Sequence, residues 1–347
     1  MRVNVGVMSD AIELLIGTYT RGTGSQGIYR CLWNTTAHRF EDLELAAPAD
    51  NPSFLINAGA HLFAVSEVND HLGQPQGAVL AYRRDGPRLS LLQVQPSFGA
   101  DPCHLGIHQG LLAVANYTGG SLCLLDVDAG AGTGGQHAPL LRPRQLLRLR
   151  AAGPTPRQAG AHPHGAWFRG DELWVPDLGG DRIYRLRAAT GQVLDPVLVA
   201  PGSGPRHLAL RGGRVYVIHE LSNRVELIEQ GRVVQSVPTL PDGAWRSATA
   251  AIAIRPDGRS LIASNRGHDS LVSFAIDPSG GYLSEPRLHS CGGSHPRDFA
   301  LTRDGRWLLV ANRDSDNLLA MPMGADGRPG APVAELPCPA PVCILEC

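Results

Sequence analysis

The sequence predicts an all-β fold: a seven-bladed β-propeller of four-stranded antiparallel blades, with the ring closed by pairing of the N- and C-terminal strands. Three observations predict it. An apolar strand ending in a polar cluster recurs seven times, a strand led by proline or histidine precedes most of the copies, and the C-terminal segment resembles the one strand that the first unit lacks. A sandwich or an ordinary barrel does not predict a sevenfold repeat.

The recurring strand appears as LLIGTYT (14–20), LFAVSEV (62–68), LLAVANY (111–117), LWVPDLG (173–179), VYVIHEL (215–221), LIASNRG (261–267) and LLVANRD (308–314). Upstream of most copies stand NPSFL (51–55), DPCHL (101–105), HPHGAWF (162–168), GPRHLAL (204–210), ATAAIAI (248–254) and HPRDFAL (295–301). Downstream come third strands such as GSLCLLDV, DRIYRL, NRVELI, DSLVSFAI and DNLLAMPM. The prolines Pro52, Pro102, Pro163, Pro205 and Pro296 lie 50, 61, 42 and 91 residues apart, the last gap spanning two units because Ala250 is read at the proline position. Such a period is that of a propeller blade, and the 61-residue gap holds AGAGTGGQHAPL (129–140), read as a loop excursion. Gly and Pro, 41 and 27 in number, punctuate short β-rich runs, and no long stretch has helical spacing. The terminal APVCILE (340–346) reads as the first strand of the unit whose second strand is LLIGTYT, and that pairing removes the open sheet edges of a linear array.

A chain of 347 residues exceeds the usual domain length, yet repeat folds grow by adding units, so residues 1–347 are read as one propeller domain. With 43% hydrophobic and 18% charged residues the core is ample. The formal net charge of −1 provides no field for nucleic acid or a membrane surface, so neither is an expected partner. All 31 basic residues are arginine, which excludes Schiff-base chemistry and a Walker-type phosphate loop, both of which need a lysine amine. The seven cysteines are scattered without a CxxC pair, and no signal region or membrane-length apolar run occurs. The expected location is the cytoplasm, and the expected state a monomer or weak homodimer.

In a propeller, residues at one phase of every repeat converge on one face. That phase collects His104, His162, His164, Arg206, His207, Arg297 and Asp298 from the upstream motifs. The ends of the recurring strands add Glu67, Asn116, Tyr117, Asp177, Glu220, Asn265, Arg266, Asn312 and Arg313. A single Asn or Asp there equally suits a device that hydrogen-bonds between blades. Guanidinium forks suit a carboxylate, a phosphate or a developing oxyanion, and a carboxylate or imidazole can exchange a proton with water. This chemistry fits attack on an ester of an anionic molecule, with Glu220 or His164 moving the proton and Arg206 and Arg266 as clamps. His162 and His164 could share one face of a strand, but no Cys or acid cluster stands near, so no metal and no cofactor is expected. GTGSQG (22–27) lies between strands with no helix after it, unlike a nucleotide fingerprint.

The segments IGTYTRGTGSQGIY (16–29), NPSFL with VSEVN, PCHLGI with ANYTGGSL, RQAGAHPHGAWF (157–168), PDLGGDRIYRL, PGSGPRHLAL with HELSNRVEL, SNRGHDSLVSFAID (264–277) and HPRDFALTRDGRWLLVANRDSDN (295–317) resemble, in order along the chain, the lactonase family of seven-bladed propellers. That family includes bacterial 6-phosphogluconolactonases and fungal carboxy-muconate cyclases. The resemblance implies catalytic roles for His164, Arg206, Glu220 and Arg266, with His162 and His207 beside them. It also implies hydrolysis of 6-phospho-D-glucono-1,5-lactone, a small anionic lactone of the pentose phosphate pathway. Glu67, His104, Asn116, Tyr117, His162, Asp177, His207, Arg297 and Asn312 are the expected substrate-binding residues. A carboxylated muconolactone is the alternative substrate, and a non-catalytic protein-binding scaffold the alternative of another class. Gly165, where serine is frequent in relatives, and Ala251 and Ala253 depart from the family pattern.

Overall fold

The inner strands of each unit are continuous apolar runs rather than alternating ones, which suits strands buried on both faces. A computed structural model describes residues 11–128, 140–243 and 246–347, so the loop excursion read at 129–140 lies, apart from Leu140, outside the described residues. The described residues form seven four-stranded antiparallel sheets arranged in a ring. From the centre outward, blade 1 runs Pro341–Glu346, Ala11–Thr18, Gly27–Asn34 and Arg39–Pro48. Blades 2 to 7 each run in chain order. Their two inner strands are Leu55–Ala58 and His61–Ser66, Pro102–His108 and Leu111–Asn116, Trp167–Arg169 and Glu172–Asp177, Pro205–Arg211 and Arg214–His219, Ala248–Ile254 and Ser260–Arg266, and Pro296–Leu301 and Trp307–Asn312. Two single 3₁₀ turns, Pro156–Gln158 and Leu178–Gly180, are the helical elements among the described residues.

Neighbouring blades pack face to face, so each second strand is covered on both sides; Leu111–Asn116 and Trp307–Asn312 are buried throughout. Between blades 1 and 7, Trp33 meets Trp307 edge-on at 4.9 Å among Leu14, Ile16, Leu309 and Ala311. Outermost strands such as Arg39–Pro48 carry the polar residues instead.

The terminal segment closes the ring as the sequence predicts, with Leu15 opposite Leu345 and Ile16 opposite Ile344. Gly17 has a reason at this seam. A Cβ there would lie 2.3 Å from the carbonyl oxygen of Pro52, so only glycine lets blade 2 approach. The seam is also held from blade 7, where the Asp298 carboxylate accepts the Ile344 N–H at 2.9 Å.

The asparagines ending the second strands belong to this scaffold. Asn116 Nδ2 donates to Ser97 O at 2.9 Å, Asn265 Nδ2 to Thr239 O at 3.5 Å and Asn312 Nδ2 to Cys291 O at 3.0 Å. Each acceptor follows the outermost strand of the preceding blade, so one asparagine locks the chain's entry into the next blade. Asp177 does the equivalent work in blade 4, accepting from the N–H groups of His162 at 2.6 Å and Gly179 at 3.1 Å. Asn116, Asp177 and Asn312 are each 0% exposed, so of the expected substrate-binding residues these three are placed inside the blade seams rather than at the mouth. Asn312→Ala is therefore expected to destabilise the fold by about 1–3 kcal/mol in urea denaturation, with kcat unchanged.

Candidate active site

Proline has no N–H for a central ladder, and the inner strands answer that loss with a bulge at their entry. Pro102, Pro205 and Pro296 stand opposite Asn116, His219 and Asn312, after which the register slips by one residue. The extra residues are Cys103, Arg206 and Arg297. Pro163 bridges Asp177 and so gives His164 the same position in blade 4. In blade 6 it is Thr249, opposite Asn265, that takes the proline position, which corrects the reading of Ala250 there. The upstream phase thus splits into two tiers: Cys103, His164, Arg206 and Arg297 at the bulges, and His104, Gly165, His207 and Asp298 one residue deeper.

The second strands meet the upper tier with the residues that follow their locked ends: Tyr19, Glu67, Tyr117, Glu220, Arg266 and Arg313. At the centre is the Glu220 carboxylate, 4% exposed. Its Oε2 accepts from Arg206 Nε at 3.0 Å and Arg266 Nη2 at 2.8 Å, with His164 Nε2 at 3.7 Å; its Oε1 faces Arg157 Nη2 at 2.7 Å. Burial alone would raise this carboxyl, but the guanidiniums of Arg266, Arg206 and Arg157 together outweigh it and hold it well below the usual carboxylate range. Arg206 is pulled down to about 9, first by burial and then by Arg266 and Arg297, and remains charged at neutral pH. Burial and then Arg206 depress His164 well below its ordinary value, leaving the imidazole neutral.

A second carboxylate, Glu67, stands beside this cluster. Tyr19 Oη donates to both of its oxygens at 3.1 Å, Ser53 Oγ donates to Oε2, and Arg297 Nη2 is 4.0 Å away. Arg297 also donates to Tyr19 Oη at 2.5 Å and lies over its ring. Burial raises the Glu67 carboxyl above its usual value, against the opposing influence of Arg297, Ser53 and Tyr19. Cys103 Sγ lies 3.8 Å from His164 Nδ1, but burial pushes its thiol far up, so it stays protonated and is no nucleophile.

Beneath the mouth the lower tier forms an aromatic floor. His104 packs at 4.0 Å on Phe54, 4.2 Å on Trp167 and 5.4 Å on His207. Gly165 is part of this floor, because a Cβ there would lie 2.1 Å from the Trp167 ring. His104 and His207 therefore underlie the mouth, whereas His162 and Tyr117 stack at 4.6 Å as its wall, with Arg157 donating to Tyr117 Oη at 3.0 Å.

These buried imidazoles carry a pH dependence. Burial pulls His104 down to about 3 and His207, like His164, well below its ordinary value. The unfolded chain thus binds more protons than the folded one below pH about 6.5, and each histidine costs up to about 1.4 kcal/mol per pH unit as pH falls toward its folded value. Asp298, pushed up to about 6 by burial, acts in the opposite sense between pH about 4 and 6, and Glu67 and Asp177, raised by burial, act in that sense above their ordinary values. With His295, pulled down to about 4 by burial, and His289 also depressed, five histidines outweigh the three raised acids, so denaturant unfolding should show a loss of more than about 1 kcal/mol per pH unit on acidification from pH 6.5.

Sequence reasoning missed Tyr19, Ser53, Cys103, Arg157 and Arg246. Tyr19 shares the phase of Glu67 and Glu220 and was visible in LLIGTYT; Arg157, on the turn Pro156–Gln158, has no counterpart in the repeat.

The chain as a whole has counterparts among known proteins. The sequence pattern of the seven-bladed β-propeller lactonases matches residues 13–346. The chain belongs to that lactonase family. It is 31% identical over 303 residues to a 6-phosphogluconolactonase of Bacillus subtilis (strain 168), covering 82% of this chain and 83% of that protein. It is 31% identical over 312 residues to a 6-phosphogluconolactonase of Formosa agariphila, covering 83% and 86%. The structure of a periplasmic gluconolactonase from Pseudomonas aeruginosa superposes with a TM-score of 0.88 at 30% identity, over 96% of this chain and 98% of that one.

As a lactonase, the protein offers a cavity of about 480 Å³ beside Glu220, lined by Arg157, Arg246, Arg266 and His295. A cavity of about 520 Å³ near Tyr19 sets Arg21 and Arg313 against Asp314 and Asp316 and is electrically balanced. One of about 540 Å³ on the opposite face is lined by Arg211, Arg214 and Arg259 with Asp257 and Asp277; Arg214 pairs with Glu229 and Arg211 donates to the Pro256 and Asp257 carbonyls. Among the described residues, no three His, Cys, Asp or Glu side chains group as a metal site, and no helix is long and apolar enough to cross a membrane.

Proposed function

We propose that this lactonase hydrolyses 6-phospho-D-glucono-1,5-lactone to 6-phosphogluconate, the lactone-opening step of the oxidative pentose phosphate pathway. The observation that supports it is the charge of the mouth. Five guanidiniums, Arg157, Arg206, Arg246, Arg266 and Arg297, face two carboxylates, Glu67 and Glu220, leaving the mouth net positive. A phosphate monoester, about doubly negative at neutral pH, complements that surplus. In this reading the phosphate occupies the cavity of Arg157, Arg246 and Arg266, where guanidinium forks match its oxygens. The lactone carbonyl then points toward Arg206 and Arg297, whose fixed charges stabilise the oxyanion as it forms. The relatives named 6-phosphogluconolactonase support the same substrate. Seven free cysteines, six of them buried, support residence in a reducing cytoplasm.

The name of the Pseudomonas relative favours a second reading, an unphosphorylated gluconolactone. A panel of 6-phosphogluconolactone, gluconolactone and a carboxylated muconolactone, corrected for spontaneous hydrolysis and run with and without chelator, separates the possibilities. The proposal expects kcat/KM at least about 10²-fold higher for the phosphorylated lactone, since charge-assisted contacts contribute about 1.5–3 kcal/mol each, and no effect of chelator. Equal rates with and without the phosphate, or none above background, would sink it.

A further inference from the structure

We propose that Glu67, aided by Tyr19, is the group that moves the proton in lactone hydrolysis, and that Glu220 is the counter-ion that fixes the arginine forks. This rests on the reading that a lactone binds at the arginine mouth, and it differs from the expectation that Glu220 or His164 exchanges the proton. The two carboxylates sit in opposite surroundings. Glu220 spends both oxygens on guanidiniums from three separate segments, Arg157, Arg206 and Arg266, and is 4% exposed. A carboxylate so neutralised has little basicity left for water. Glu67 is 17% exposed, and its hydrogen bonds come from two neutral hydroxyls, those of Tyr19 and Ser53. The charged or titratable groups around it are Arg297 from blade 7, Tyr19 from blade 1, and Asp101 and the protonated Cys103 at the entry of blade 3.

Two carboxyls driven apart in this way mark an acid–base assignment. Burial lifts Glu67 toward the operating pH, where a proton-transfer group works best, while the cations keep Glu220 ionised. The neutral His164 lies on the Glu220 side of the mouth, its Nε2 3.7 Å from Glu220 Oε2.

Glu67 takes a proton from water while the water oxygen forms a bond to the lactone carbonyl carbon, and the carbonyl π electrons move onto oxygen, facing Arg206 and Arg297. On collapse the bond from that carbon to the ring oxygen breaks, its electron pair stays on the ring oxygen, and Glu67 returns the proton to that oxygen, directly or through Tyr19 Oη. The product acid ionises, and Glu67 is regenerated as carboxylate.

The test compares the wild type with Glu67→Gln and Glu67→Asp on 6-phosphogluconolactone and gluconolactone between pH 4.5 and 7.5, with folding checked by thermal melting. Glu67→Gln should lower kcat by about 10²–10³-fold, leave KM within about twofold and abolish the acidic limb of the pH–kcat profile, while Glu67→Asp recovers part of the rate. A Glu67→Gln enzyme within threefold of wild-type kcat, or one that keeps the acidic limb, overturns the assignment. A ¹³C carboxyl titration, with the Glu67 signal identified by its loss in Glu67→Gln, needs no turnover: titration above the ordinary glutamate value supports the assignment, and titration at or below it overturns it. A wild type inert toward both lactones would instead contradict the substrate reading of the preceding section, with the titration still deciding on Glu67.

Discussion

Arg206→Ala is expected to lower kcat/KM for the phosphorylated lactone by at least about 10³-fold with the fold retained. Arg206 is 2% exposed, donates to Glu220 through Nε and to the Ala250 carbonyl through Nη1 at 2.5 Å, and sits at a bulge facing the mouth. Loss of one fixed oxyanion donor alone costs about 10²–10³-fold, and the substitution also frees Glu220 from one of its three arginine partners. Arg206→Lys should recover little, because an ammonium cannot span two acceptors as the planar guanidinium does. Steady-state kinetics beside a thermal melt check both halves. A folded Arg206→Ala protein that retains activity would argue for a binding scaffold, the class that the arginine-lined mouth disfavours.

The second large effect concerns the seam. Removal of residues 341–347 should abolish cooperative unfolding and drive the protein into aggregates. The deleted strand pairs with Ala11–Thr18 from Leu14 opposite Glu346 to Thr18 opposite Pro341, so its loss opens the edge of an apolar strand and uncovers one wall of the channel. It also strands the Asp298 carboxylate, which accepts from Ile344. A circular permutant that carries the same segment ahead of Ala11 should refold, since it restores the inner-to-second strand hairpin that every other blade has. Size-exclusion chromatography and circular dichroism would register both outcomes, and a soluble, cooperatively melting truncation would count against closure by this strand.

The fold was legible because each blade repeats one apolar strand and one proline-led entry, and repetition is a signal that a single sequence carries. The site was legible only in part. Phase alone brought His164, Arg206, Glu220, Arg266, Glu67 and Arg297 together, but it set them level with Asn116, Asp177 and Asn312, one residue earlier in the strand. A one-residue difference in a strand exchanges the mouth for the blade interior, and the bulges that set the phase leave no mark in composition. Arg157 reaches Glu220 from a connecting turn, half-exposed and outside the repeat, so no alignment of blades could find it. The division of labour between two glutamates was equally hidden, because it depends on guanidiniums that converge from separate blades and loops.

The most direct single test is a crystal structure with 6-phosphogluconate bound. The phosphate is expected among Arg157, Arg246 and Arg266, and the carboxylate between Arg297 and the Glu67–Tyr19 pair. Product bound instead in the opposite-face cavity of Arg211, Arg214 and Asp257, or with both anionic groups remote from Arg206 and Arg266, would contradict that placement.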